Sequence, residues 1–214
     1  MSELIGRDEI IGMILSAVEK IKANHEVLTQ LDSAAGDGDH GITMLRSMQA
    51  VEDTINDSGG ASKKDLLHSI GWAVMSADGG STGPLLGSFF VGMSEAAVKD
   101  GLDCRAVAAM FEAGISKVHK QSRAEVGDRT MMDAMLPARD ALKVSGNGAS
   151  ITEMLKAAAD AAADGAEATK NMVAKFGRAK NLGQRVLGHA DPGATSISLI
   201  FQAFYEGLCH KNQD

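Results

Sequence analysis

The chain has 214 residues and a formal net charge of -7, with 21 Lys+Arg against 28 Asp+Glu, a balance that argues against nucleic acid or an anionic membrane surface as a partner. A chain of this size removes roughly 70% of its unfolded surface from water, so a single domain over residues 1–214 is expected. Two cysteines, Cys104 and Cys209, are too few for a disulfide framework, and neither a signal-like N-terminus nor an apolar run of the ~18 residues needed to span a membrane is present, so a cytoplasmic setting is expected.

From Glu9, the apolar residues Ile10, Ile11, Ile14, Val18 and Ile21 recur at three- and four-residue steps, the signature of an amphipathic helix. An acidic, glycine-rich segment follows, Asp32 to Gly41, before Met44, Leu45, Met48, Val51 and Ile55 repeat the helical spacing up to the stop at Asn56 to Gly60. Ser62 and Asp65 stand where a capping box opens a third helix through Leu66, Leu67, Ile70 and Val74, which ends at Asp78-Gly79-Gly80-Ser81-Thr82-Gly83. Pro84 suits the first turn of a fourth helix, apolar nearly all round and so expected to be deeply buried, with Gly101 closing it.

A fifth helix is expected from about Asp103 to Val118, followed by a polar loop from Gln121 to Arg129. Thr130 or Asp128 then caps a sixth, in which Pro137 marks a kink or a boundary. Gly146 to Gly148 end it. Ser150 and Glu153 form a second capping box ahead of the Ala-rich helix Met154 to Met172. After a third unusual loop, Gly177 to Gly193, a last helix starts near Ala194 and carries Ile197, Ile200, Phe201, Phe204 and Leu208. No segment alternates with period two, so the fold class is all-α with about eight helices. The glycine-rich loops at 32–41, 78–83, 121–130 and 177–193 fall so that a bundle can gather them at one end, where binding sites are commonly built.

Gly36-Asp37-Gly38-Asp39-His40-Gly41 matches GxGxxG, yet no strand precedes it, and two carboxylates inside the turn oppose a pyrophosphate unless a metal intervenes. An EF-hand fails because the position of its bidentate Glu is Met48, and no P-loop is present. Two readings stay open for Asp32, Asp37 and Asp39: hard oxygen ligands suited to Mg²⁺, or a solvated loop that caps the second helix. Gly79 to Pro84 offers backbone N–H groups, two hydroxyls and a helix N-terminus, the ingredients of an anion site, though an ordinary turn has the same composition. An acidic and a donor-rich loop in one chain fit a metal-bridged phosphate better together than apart. His40 and His189 each sit beside an Asp and a Gly, and a structural role is the expectation for both. Arg178 serves either phosphate or a helix end.

These blocks resemble the nucleotide-binding L subunit of dihydroxyacetone kinases, equivalent to the C-terminal domain of the single-chain kinases. The matching stretches are Asp32 to Gly41, GGSTGP at Gly79 to Pro84, GDRTMMD at Gly127 to Asp133, and GRAKNLGQR with GHADPGATS between Gly177 and Ser196. The resemblance implies an antiparallel eight-helix barrel binding ADP (or ATP) at one end. It implies that Asp32, Asp37 and Asp39 hold two Mg²⁺ ions, that His40, Gly41, Ile42, Thr43, Ser81 and Thr82 line the phosphates, and that Gly127, Leu136, Arg178, Asp191, Pro192 and Gly193 surround the rest of the nucleotide. In the second block the family often has Ala-Ser or Thr-Ser where this chain has Ser81-Thr82. The implied partners are a substrate-binding K subunit, which holds the triose, and a phosphocarrier subunit of the phosphotransferase system that rephosphorylates bound ADP. An ATP-dependent split sugar kinase and a nucleotide-sensing module read by a transcription regulator are the alternatives.

Overall fold

The computed structural model describes residues 4–77, 80–145 and 149–211. The expected loop residues Asp78, Gly79 and Gly146 to Gly148 lie outside it. Eight α-helices are present among the described residues: α1 (Arg7–Ala35), α2 (His40–Asp57), α3 (Lys63–Ser76), α4 (Thr82–Ala96), α5 (Cys104–Ser122), α6 (Met132–Ser145), α7 (Ile151–Ala168) and α8 (Pro192–Lys211). Two 3₁₀ segments, Thr169–Asn171 and Arg178–Val186, lie between α7 and α8, the second interrupted by a kink at Gly183 (φ +57°). Each helix packs on the next, and α8 packs back on α1, so the helices close into a ring. Short connections make the neighbours from α1 to α7 antiparallel, and the long α7–α8 connection returns to the end where the α1–α2, α3–α4 and α5–α6 loops line one cavity. The α1–α2, α3–α4, α5–α6 and α7–α8 loops therefore share one end, and the other loops share the opposite end.

The ring is filled. Helix α4 contributes Leu86, Phe89, Phe90 and Met93 to the buried core, the all-round burial its composition predicts. Phe89 of α4, Phe111 of α5, and Phe201 and Phe204 of α8 interlock, with Phe111 centred 5.7 Å from Phe201 and 5.6 Å from Phe204. These tilted arrangements are favourable beyond the area they bury. No described helix is long and apolar enough to cross a membrane.

Several boundaries differ from the sequence expectation for identifiable reasons. Helix α1 runs through Ala35, so Asp32 lies in its last turn rather than in a loop. The Thr29 and Ser33 hydroxyls donate back to the carbonyls of His25 (2.9 Å) and Thr29 (2.8 Å), which keeps these polar residues helical. Gly101 does not close α4, which ends at Ala96; it precedes Leu102, whose backbone pairs with Ile5. Pro137 neither ends nor divides α6. It removes the N–H that would reach the Asp133 carbonyl, and Gly165 of α7 fits against that oxygen, where a Cβ would lie only 2.0 Å away. Helix α7 stops at Ala168, its expected last residues forming a 3₁₀ turn. The caps at Ser62 and Ser150 form as expected, accepting from the N–H of Asp65 (3.1 Å) and Glu153 (3.1 Å), and Asp103 caps α5 by accepting from the Ala106 N–H (2.8 Å).

Candidate functional site

All four loops at one end of the ring line a cavity of about 690 Å³. Its acidic wall begins at the C-terminus of α1. Asp32 sits where the helix dipole disfavours a carboxylate, and no basic residue occupies that last turn. Part of the compensation is local, since Asp32 Oδ2 accepts the His40 N–H at 3.1 Å, one of the first-turn donors of α2 that lack an intrahelical acceptor. Asp37 and Asp39 follow on the connecting turn, and one oxygen from each of the three carboxylates lies within 4.8 Å of the others. Three hard anionic oxygens this close match the donor set that Mg²⁺ takes. Arg178, at the start of the 3₁₀ segment across the loop end, contacts Asp37 and Asp39, the latter at 3.2 Å. Those hydrogen bonds push its guanidinium pKa further up.

Beside the carboxylates the starts of α2, α4 and α8 meet, joined by His40. The ring is buried, with Nε2 3.2 Å from Ser196 Oγ and Nδ1 3.5 Å from Thr82 Oγ1. Ser196 Oγ donates to the Gly193 carbonyl (2.9 Å), so it faces His40 with a lone pair, which assigns the proton to Nε2 and leaves Nδ1 to accept. Burial lowers the His40 pKa against the pull of Asp32 and Asp39, favouring this neutral form. Of the two histidines given a structural expectation, His40 is therefore a strut between three helix starts. His189 supplies a backbone carbonyl.

The floor is built from the α5–α6 loop. Asp133, buried in the first turn of α6, accepts the N–H groups of Gly127 (2.6 Å) and Thr130 (2.7 Å) and so fixes the Gly127 to Thr130 turn. Thr130 Oγ1 accepts from the Met132 N–H, the cap expected there. Asp128 is held below the usual carboxylate range by the Glu125 N–H and by Lys175. Between them, Arg129 adopts φ +59°, is 1% exposed, and donates from Nη2 to the His189 carbonyl at 2.9 Å. Its Nε and Nη1 have no hydrogen-bond acceptor, although Nη1 lies 3.7 Å from Asp191 Oδ1. Asp191 accepts the Ala194 N–H at the start of α8 (2.8 Å), and burial pushes its pKa up to about 6 despite that bond and the nearby guanidinium.

Among the residues expected at the site, Asp32, Asp37, Asp39, His40, Thr43, Ser81, Thr82, Arg178, Asp191, Pro192 and Gly193 all line the cavity. Gly41 does not. It seats α2 on α1, where a Cβ would come 2.1 Å from the His25 carbonyl. Ile42 is 48% exposed, Leu136 lies in the core, and Gly127 contributes its N–H to Asp133 rather than a wall. Arg129, Gln121 and Phe176 line the cavity without having been singled out in the sequence. For Arg129 the available signal was a charged residue between an acidic turn residue and the apolar start of a helix.

An α-helical ring with a cavity at one end, built from acidic and donor-rich loops, is the class of protein that this fold and site define. The family model described as DAK2 domain matches residues 34–206, and the chain belongs to that family. It is 34% identical over 188 residues to the ADP-binding subunit DhaL of PEP-dependent dihydroxyacetone kinase 1 of Listeria innocua, covering 88% of this chain and 90% of that one. To the ADP-binding subunit DhaL of the PEP-dependent dihydroxyacetone kinase of Escherichia coli it is 33% identical over 200 residues, covering 92% of this chain and 95% of the relative. The dihydroxyacetone kinase of C. freundii, solved in complex with AMP-PNP and Mg²⁺, superposes with a TM-score of 0.73 at 25% identity over 96% of this chain, which spans only 35% of that kinase.

Proposed function

We propose that this chain is the Mg²⁺–nucleotide-binding subunit of a dihydroxyacetone or related ketose kinase, a single cytoplasmic domain that presents a phosphoryl group to a substrate held on a separate K subunit. The observation that carries this reading is the convergence of Asp32, Asp37 and Asp39, with oxygens within 4.8 Å of one another, beside the first turns of α2 and α4 in one cavity. Asp32, Asp37 and Asp39 would hold two Mg²⁺ ions, and bound there the metal supplies neutralisation of phosphoryl-oxygen charge. The open N–H groups at the starts of α2 and α4 receive phosphate oxygens, and the hydroxyls of Thr43, Ser81 and Thr82 add donors. Here Gly41 and Ile42 act through the backbone, consistent with side chains that do not enter the cavity. Neutral His40 keeps those helix starts in register without adding a titrating charge. The apolar wall of Pro84, Leu85, Met131 and Phe176 suits a nucleobase.

Phosphoryl transfer needs positioning and charge compensation rather than a covalent group, so no nucleophile is required of this chain. Kinship with ADP-binding subunits, nine-tenths or more of whose length this chain covers, supports a cofactor regime, in which ADP stays bound and is rephosphorylated by a phosphocarrier of the phosphotransferase system. Denaturing the purified protein and chromatographing the supernatant should release ADP. Calorimetry on the stripped protein should show ADP binding that requires Mg²⁺ and is lost in Asp37→Asn. Absence of both released nucleotide and Mg²⁺-dependent binding of ADP or ATP refutes the proposal.

A further inference from the structure

Arg178 is the first residue of a 3₁₀ segment that runs, mostly exposed, from Gly177 to the buried anchor Val186. Its guanidinium reaches back across the cavity mouth to a different loop, where Nη1 contacts Asp37 Oδ2 and lies 3.2 Å from Asp39 Oδ2. Asp37 and Asp39 are two of the three carboxylates whose oxygens converge within 4.8 Å. A divalent cation bound between them needs the same oxygen lone pairs, at a distance from which a second positive charge is repelled. The guanidinium and the metal therefore compete for one place.

Resting on the proposed Mg²⁺–nucleotide function, we infer that Arg178 is a metal-displaceable clasp: its contact with Asp37 and Asp39 pins the start of the Arg178–Val186 strap to the cavity wall, and metal binding releases both. The exposure of the partners makes such exchange possible at low cost, since the Arg178, Asp37 and Asp39 side chains are 61%, 46% and 54% exposed. A released guanidinium stands at the rim of the same cavity, free to meet the phosphates that arrive with the metal. The strap is thus held by the carboxylates or by the loaded nucleotide, and metal entry decides which. Metal affinity measured alone understates the intrinsic affinity of the three carboxylates by the fraction of molecules in which the clasp is closed.

The competition has a signature that an arginine serving phosphate alone would lack: removing it tightens metal binding. Chelator-stripped wild type, Arg178→Gln and Lys180→Gln are titrated with Mn²⁺ without nucleotide, following the free-ion EPR signal. Arg178→Gln should bind Mn²⁺ about fivefold more tightly than wild type, the order expected when two exposed ion pairs no longer compete. Lys180→Gln removes one charge from the same strap without touching the clasp and should stay within about twofold. In wild type, Mg²⁺ alone should speed amide hydrogen exchange across 178–186, and in Arg178→Gln it should leave that exchange unchanged. Equal or weaker Mn²⁺ binding by Arg178→Gln, a matching gain in Lys180→Gln, or slower strap exchange on adding Mg²⁺ to wild type overturns the clasp while leaving the metal site standing. Failure of both wild type and Arg178→Gln to bind Mn²⁺ overturns the metal centre itself, and the clasp with it.

Discussion

Replacing Arg129 with Met tests how the floor of the cavity is balanced, because Met keeps much of the side-chain volume and removes the charge. Arg129 is 1% exposed, bonded to the His189 carbonyl at 2.9 Å and 3.7 Å from Asp191 Oδ1, with Nε and Nη1 unpaired. Burial raises the Asp191 carboxyl from the usual carboxylate range to about 6 in the folded protein. The raised value fixes the sign of the pH dependence: stability from this group is fully present below about pH 4 and is lost as pH rises through about 6, because ionisation then costs more in the folded state than in the unfolded one. The guanidinium limits that loss. Without it, at about pH 8, a desolvated carboxylate keeps the Ala194 N–H but no counter-charge. Breaking a buried pair from one side costs roughly 3–5 kcal/mol, less about 1–2 kcal/mol recovered because two unpaired buried N–H groups are gone. The net expectation is about 2–3 kcal/mol of destabilisation near pH 8. It should fall to about 1 kcal/mol or less near pH 5, where Asp191 is protonated and chiefly the His189 hydrogen bond is lost. Urea unfolding at both pH values reads the difference, and adding Asp191→Asn to the Arg129→Met background should flatten it. A destabilisation that is the same at both pH values, or larger near pH 5, refutes the assignment of Arg129 as counter-charge to Asp191.

Gly41→Ala places a methyl 2.1 Å from the His25 carbonyl and 2.2 Å from Thr29 Oγ1, so α2 must move off α1. Thermal unfolding should show a loss of about 2–3 kcal/mol, and Mg²⁺-dependent ADP binding should weaken more than tenfold because the same movement separates the His40 N–H from Asp32. Ser150→Ala removes the hydroxyl of the α7 capping box at the opposite end of the ring. It should cost about 1 kcal/mol by denaturant unfolding and leave ADP affinity unchanged within error.

The helices were legible because their signals are local. The three- and four-residue apolar spacing, the Ser150–Glu153 box and the absence of period-two alternation each state a preference that the ring then satisfies. The loop clustering was legible too, since glycine-rich punctuation recurred between alternate helix pairs. What escaped was set by contacts between elements. Asp32 reads as part of the acidic glycine segment, yet α1 runs through Ala35, and the N–H of His40 in the next helix helps to hold the Asp32 carboxylate there. Pro137 reads as a kink or a boundary, and it is no boundary: α6 runs through it, with Gly165 allowing α7 to press against the carbonyl it leaves free. Arg129 carried no periodicity or spacing signal, because its role depends on His189 and Asp191, some 60 residues downstream. Gly41, Ile42, Gly127 and Leu136 lie in the matching blocks or next to them, but a motif does not distinguish a residue that faces a ligand from one that seats a helix or offers only its N–H.

The two ends of the ring divide stability from function. At the end away from the cavity the local preferences agree: Arg7 donates to the Ala61 carbonyl, Ser58 Oγ and the Gly59 carbonyl at 2.7–2.8 Å, Lys63 caps the Asp100 carbonyl at 2.6 Å, and Ile5 pairs with Leu102. At the cavity end they conflict. A carboxylate occupies a helix C-terminus, three carboxylates crowd together, a non-glycine residue takes a positive φ, and a buried guanidinium keeps two N–H groups unpaired. Such conflicts persist only where the rest of the fold over-determines them, and they concentrate where a ligand relieves them. A divalent cation relieves the carboxylate crowding directly, and an anion at the starts of α2 and α4 relieves the open N–H groups. Neither ligand alone answers both, whereas the proposed metal-bridged phosphate carries both charges into one cavity.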